Sequence, residues 1–269
     1  MEARRAWRRV DSARISQTWA AQVPQLLAAL TAGQRAAAAT ADSYLEAQGL
    51  PGAGALVNVA AFAGVASDGR DLRTLFSLPG ILTLQAIGQG LPVERAMAAG
   101  GALAELAAHT QVADAGRTAD QVGLVARGGA GYTRMVSGGA CSRCLILAGR
   151  WYRWNAGFSR HPHCSCVGIP CTENIAGDLR TDPKQAFRAM GAAEQDKTFG
   201  KAGAQAIRDG ADMAKVVNAR RGMRTAADGR LYTTEAAGRR PRLMPEQIYR
   251  DASGREDAIR LLRLHGFIL

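Results

Sequence analysis

Apolar residues recur at helical spacing through the first half of the chain. Over residues 12–31, Ile15, Trp19, Val23, Leu26, Leu27 and Leu30 share one face, which predicts an amphipathic helix. Pro24 lies inside this pattern. A proline removes an amide donor and crowds the carbonyl four residues back, so a kink or a split is expected there. Residues 36–47 continue as a second helical stretch with Tyr44 and Leu45, and residues 51–54 form a Pro/Gly break. Residues 55–66 and 79–88 read as short buried helices on either side of the turn Ser67-Asp68-Gly69. Pro92 suits the first position of the next helix, whose face carries Val93, Met97, Leu103 and Leu106 and which Gly100-Gly101 interrupts. A further helix is predicted at 118–126. Beyond the glycines at 128, 129 and 131, Tyr132, Arg134 and Val136 alternate as in a strand.

The pattern then changes character. Leu145–Leu147 and Arg150–Trp154 are apolar and aromatic runs flanking Ala148-Gly149, a hairpin signal. Residues 172–182 are polar, and Asp182-Pro183 suits a helix start. Helices are predicted at 184–190 and 194–199, and two more short ones within 199–223, broken near Gly210. Residues 224–242, rich in Arg, Gly and Thr, read as a mobile basic arm. Two short helices close the chain within 245–269. No internal repeat and no heptad pattern is present. The predicted fold class is mainly α with a small α+β module. It comprises an Ala-rich helical domain at 1–130, a Cys/His module with a β-hairpin at 131–171 and a basic helical region at 172–269.

Charge sharpens this division. Residues 1–130 hold 11 Arg against 10 Asp and Glu, whereas residues 131–269 hold 23 basic against 13 acidic residues. A basic half-chain suits a polyanionic neighbour such as nucleic acid or an acidic protein surface. Of the 34 basic residues 30 are Arg, a bias that codon usage alone also produces, so a solvated Arg-rich surface is an equal reading. No apolar stretch follows the basic N-terminus, and the most apolar window, near residues 53–66, is too short and too interrupted by Gly and Asn to span a bilayer. A soluble protein made in the cytoplasm is expected, where reduced cysteines favour metal ligation over disulfides.

The chemistry concentrates in residues 141–166, CSRCLILAGRWYRWNAGFSRHPHCSC, which hold four of the five cysteines and two of the four histidines. Cys141 and Cys144 form a C-x2-C pair, His161 and Cys164 an H-x2-C pair, and Cys166 follows two places on. Two such pairs can each place two donors on one side of a tight turn, the arrangement that a tetrahedral structural Zn2+ requires. Cys166 competes with His161 or Cys164 for the fourth position, and His163 is a weaker candidate because it is adjacent to Cys164. Cys171 reads as a plain thiol, and His109 as a helix-surface residue. A catalytic zinc is disfavoured, since no Asp or Glu lies between Cys141 and Cys171 to act as a general base. The deaminase pattern, the G-x-S-x-G elbow, H-E-x-x-H, the P-loop and G-x-G-x-x-G are all missing from the sequence. Catalytic residues are therefore unassigned.

The motif C-x2-C, then Gly149 to Tyr152, then His161-Pro162-x-Cys164-x-Cys166 resembles that of the MuF-like minor head proteins of tailed phages, which carry the phage head-morphogenesis domain. The longer stretches RMVSGGACSRCLILAGRWYRWNAGFSRHPHCSC and FGKAGAQAIRDGADMAKVVNARRGM are similar to minor head proteins of actinobacterial phages, so that the resemblance covers most of residues 115–269. Ser165 stands where such proteins often have an acidic residue. The resemblance implies a low-copy virion protein, located at the capsid interior or portal vertex, that acts in head morphogenesis. Its implied partners are the portal, major capsid and scaffold proteins, with DNA a further partner for the basic half. Relatives are also labelled capsid maturation proteases, which leaves a scaffold-cleaving protease as the alternative and a zinc-containing nucleic-acid-binding protein as a third reading.

Overall fold

The structure, a computed structural model, describes residues 2–50, 52, 56–129, 131–136, 139–157, 161, 164, 166–171, 182–235 and 241–269. The expected break at 51–54 and the polar segment 172–182 fall almost wholly outside these residues. The fold is mainly helical with two small sheets. Its contacts divide it into two compact units, Met1–Tyr132 with Trp151–Ala176 and Thr133–Arg150 with Gly177–Leu269.

The first unit is built on helices α1 (Glu2–Trp7), α2 (Ile15–Ala39), α3 (Ala41–Ala47), α4 (Leu72–Gly88) and α5 (Val93–Ala126). The apolar face predicted for 12–31 is the buried face of α2, where Ile15, Trp19, Val23, Leu26 and Leu30 all enter the core. α2 neither stops nor splits at Pro24. Both Pro24 and Ala20, whose carbonyl the proline leaves without its helical donor, lie on the exposed face, where water can take that bond.

Helix α5 corrects the sequence reading most strongly. It runs unbroken for 34 residues through Gly100-Gly101 and joins the two helices expected there. A Cβ on Gly100 would lie 2.1 Å from Thr83 Oγ1 and 2.5 Å from the Trp7 ring, and one on Gly101 would lie 2.7 Å from Trp7. These glycines are where α1 and α4 approach α5, not where α5 ends. Trp7 and Trp19 meet edge to face at 4.9 Å between ring centroids. Each ring nitrogen donates to a carbonyl, Trp7 to Met97 at 2.8 Å and Trp19 to Phe76 at 2.6 Å, so the bulk of both rings is buried without an unmet donor.

Residues 55–66 do not form the helix expected there. Among the described residues they contain one 3-10 turn, Val59–Phe62, followed by an isolated bridge between Val65 and Asp71. Two buried glutamines supply the backbone bonds that a helix would have made. Gln34 accepts from Gly64 N at 2.9 Å and donates to Val65 O at 2.8 Å, and Gln111 accepts from Ser67 N at 2.7 Å. Asp71 then caps α4 by accepting from Arg73 N at 2.6 Å, so α4 starts at Leu72 rather than near 79.

A three-stranded sheet follows, from strands β1 (Gly131–Met135), β2 (Trp151–Arg153) and β3 (Val167–Pro170) in the order β2-β1-β3. The central strand is buried along residues 131–134. The predicted hairpin around Ala148-Gly149 is corrected. The residues before it form the short helix α6 (Ser142–Leu145), and β2 pairs with β1 instead, with Arg134 N donating to Arg150 O and Gly149 N to Arg134 O, both at 2.9 Å.

The second unit contains α6 and helices α7 (Pro183–Ala189), α8 (Ala192–Phe199), α9 (Lys201–Arg208), α10 (Met213–Ala219), α11 (Pro245–Asp251) and α12 (Arg255–Leu264). Asp182 caps α7, matching the start expected at Asp182-Pro183, and Asp212 caps α10, which begins just past the break expected near Gly210. Ala206, Val216, Met244, Ile248, Leu262 and Phe267 form its core. Residues 224–242 are not simply an arm. Strands β4 (Met223–Thr225), β5 (Leu231–Thr233) and β6 (Arg242–Leu243) make an antiparallel meander, with Asp228-Gly229 in the first turn and Thr233 Oγ1 donating to Ala219 O at 2.6 Å. Residues 236–240 of that stretch lie outside the described residues.

Candidate metal centre

The donor residues begin where β1 leaves the sheet. Cys141 sits at the N-cap of α6 in extended conformation, and its carbonyl accepts from both Cys144 N and Leu145 N at 3.0 Å. This single tight turn puts the two sulfurs 3.5 Å apart. That is far beyond the S–S bond length of about 2.05 Å. It is close to the edge of about 3.8 Å expected for a tetrahedron with Zn–S bonds of about 2.3 Å. None of the five cysteines is in a disulfide, so each can offer a thiolate.

In the second half, Cys164 N donates to His161 O at 3.1 Å, and Cys166 N lies 3.5 Å from Cys164 Sγ, an amide aimed at sulfur. From α5, Arg117 donates to the Cys164 carbonyl and is itself held by Asp114 at 3.2 Å. β3 follows directly, and Cys171 N donates to Gly131 O at 3.1 Å, tying the end of this segment to the start of β1. Close packing fixes the register there. A Cβ on Gly131 would lie 2.3 Å from Tyr152 O, and one on Gly168 would lie 2.8 Å from the Tyr132 ring.

The five candidate ligands fall into two overlapping groups of three. The donor atoms of Cys141, Cys144 and His161 lie within 4.8 Å of one another, as do those of Cys144, Cys164 and Cys166. Cys144 belongs to both. Cys144, Cys164 and Cys166 are 2%, 4% and 0% exposed, while Cys141 and His161 are half-buried. Among the described residues no carboxylate belongs to either group. The donor set is therefore soft, sulfur-rich and largely buried, and it fits a thiophilic divalent ion. Cys171 belongs to neither group. His163 and Ser165 lie outside the described residues. His109 is a surface residue of α5, 3.9 Å from Glu105.

One contributor carried no signal in the sequence as a site residue. Arg134, in the middle strand, places Nη2 3.7 Å from Cys144 Sγ. Strand alternation predicted its element, but nothing in its spacing from Cys144 marks it as a neighbour of the sulfur.

No helix among the described residues is long and apolar enough to cross a membrane. Compared with protein families, curated proteins and solved structures, the chain shows no match, so the Cys/His cluster, which can hold a metal ion, is the feature from which its function is read.

Proposed function

We propose that this protein is a MuF-like minor capsid protein of a tailed phage, acting in head morphogenesis near the portal, with one structural Zn2+ closing its Cys/His module. The observation that carries this reading is the convergence of the C-x2-C pair with His161, Cys164 and Cys166 into shared donor groups that, among the described residues, include no carboxylate. A donor set of this kind saturates a tetrahedral ion with protein ligands, which suits a cross-link rather than an open catalytic position. The ion's contribution is to join the Cys141–Cys144 turn to the segment that carries His161, Cys164 and Cys166. The phage assignment rests on the sequence motif and its flanking stretches. Portal, major capsid and scaffold proteins are the partners it implies, with the virion as the destination.

Co-expression with the portal, scaffold and major capsid proteins of a matching phage tests the assignment. The protein is expected in purified proheads at a few copies per particle, with scaffold and major capsid protein uncut by it. Its absence from the particles contradicts the reading. Cleavage of scaffold that a single Ser, Cys or Asp substitution abolishes replaces it with the protease alternative.

A further inference from the structure

The surroundings of Cys144 point to a residue that acts on the centre without ligating it. Cys144 is common to both donor groups, so any ion held there depends on it. A four-thiolate zinc centre carries a net charge of about −2 and a three-thiolate, one-imidazole centre about −1. Net charge in a buried site is costly unless an opposite charge or hydrogen-bond donors face it. Arg134 is such a donor. Its side chain is permanently cationic, the residue is 2% exposed, and its Nη2 lies 3.7 Å from Cys144 Sγ. The backbone of Arg134 is fixed by its two bonds to Gly149 and Arg150, so the guanidinium is held at the sulfur by a rigid strand.

We infer that Arg134 is the charge partner of a metal–thiolate centre at Cys144: a positioning residue whose guanidinium N–H draws charge from the bound sulfur and slows its loss from the metal. This rests on the metal reading above. Arg117 provides the contrast. It donates to the carbonyl of Cys164 rather than to a sulfur, so it fixes the backbone at Cys164 and not the charge on a ligand.

The test uses the full chain purified with zinc, and separately with Co2+ in its place. Arg134→Gln is expected to release zinc to a chromophoric chelator about tenfold faster than the unaltered protein, since outer-shell partners of metal ligands are worth about 10–100-fold. Its Co2+–thiolate charge-transfer band is expected to shift. Arg134→Lys, which keeps the charge, should stay within about threefold of the unaltered rate. Arg117→Gln should leave the band in place. An unchanged release rate and band in folded Arg134→Gln overturn the inference, and so does an Arg134→Lys as labile as Arg134→Gln, which would make shape rather than charge the cause. If Arg134→Gln does not fold, Arg134→Lys alone decides by the same threefold limit. Unaltered protein that folds without metal removes both the metal reading and this inference.

Discussion

The unit around α2, α4 and α5 and the unit around α7 to α12 bury their apolar surface by different means. In the first, long helices approach closely through small residues: Gly100, Gly101 and Ala104 sit against Trp7, Thr83 and their neighbours, and the rings of Trp7 and Trp19 fill what remains. In the second, helices of ten residues or fewer surround Phe267, Met244, Ile248 and Leu262, and polar groups tie their ends. Asp209, at the end of α9, shows the style. Its carboxylate accepts from Tyr249 Oη at 2.7 Å, Arg255 Nε at 2.9 Å and Gln205 Nε2 at 3.1 Å, with its side chain only 2% exposed. Burial works against its charge, but these three donors outweigh it and hold the carboxyl below its usual range, while burial and the same contact push the Tyr249 phenol up. Long helices with bare glycine contacts tolerate added volume poorly. Short helices depend on one central cluster of side chains.

The heaviest blow to this contrast falls on the core of the second unit. Phe267→Ala empties its centre, where the ring is fully buried. A loss of about 3–5 kcal/mol is expected in denaturant unfolding, and a loss under about 1 kcal/mol would mean that this cluster is not the core. Gly100→Ala sharpens the contrast in the first unit because two effects oppose. Helix propensity alone would stabilise by about 1 kcal/mol. The added Cβ would meet Thr83 Oγ1 at 2.1 Å and Trp7 at 2.5 Å, so overpacking should win and the protein should lose about 1–3 kcal/mol. A gain in stability would show that α5 is not packed against α1 and α4 as described.

The same glycines explain what the sequence could and could not disclose. The apolar face of α2 was legible because its period is local, and so was the start of α7, whose Asp cap is written beside it. The continuity of α5 was not, because Gly-Gly has the same local propensity whether a helix ends there or another ring presses on it. The glutamine clamps on residues 64–67 were hidden for a similar reason, since Gln34 and Gln111 lie at least 30 positions from the amides they serve. The Asp-Gly turn at 228–229 was a hairpin signal masked by the arginines around it. At the candidate metal centre, the spacing of Cys141, Cys144, His161, Cys164 and Cys166 marked the residues that the fold gathers into two donor groups. Arg117, 47 positions from Cys164, could be placed only by the fold.

The smallest expected effect is a pH response confined to the second unit. His265 accepts at Nδ1 from Leu243 N at 3.4 Å, and burial, followed by Arg242 and Arg230, holds its imidazole below the ordinary value of 6.5. The unfolded chain takes up the proton first. The contribution of neutral His265 is therefore complete above pH 6.5 and is lost as pH falls through the lowered value. Melting temperature should drop between about pH 7.5 and about pH 5.5, and His265→Gln should flatten that drop. An equal drop in the variant assigns it to other groups.

The central claim is that residues 141–166 form a metal-closed module, and metal content tests it most directly. Protein purified with its cysteines reduced and without added metal should carry about one zinc per chain by elemental analysis. Cys144→Ser, which removes the donor shared by both groups, should abolish that content. Unaltered protein that is fully folded with no bound metal would contradict the account.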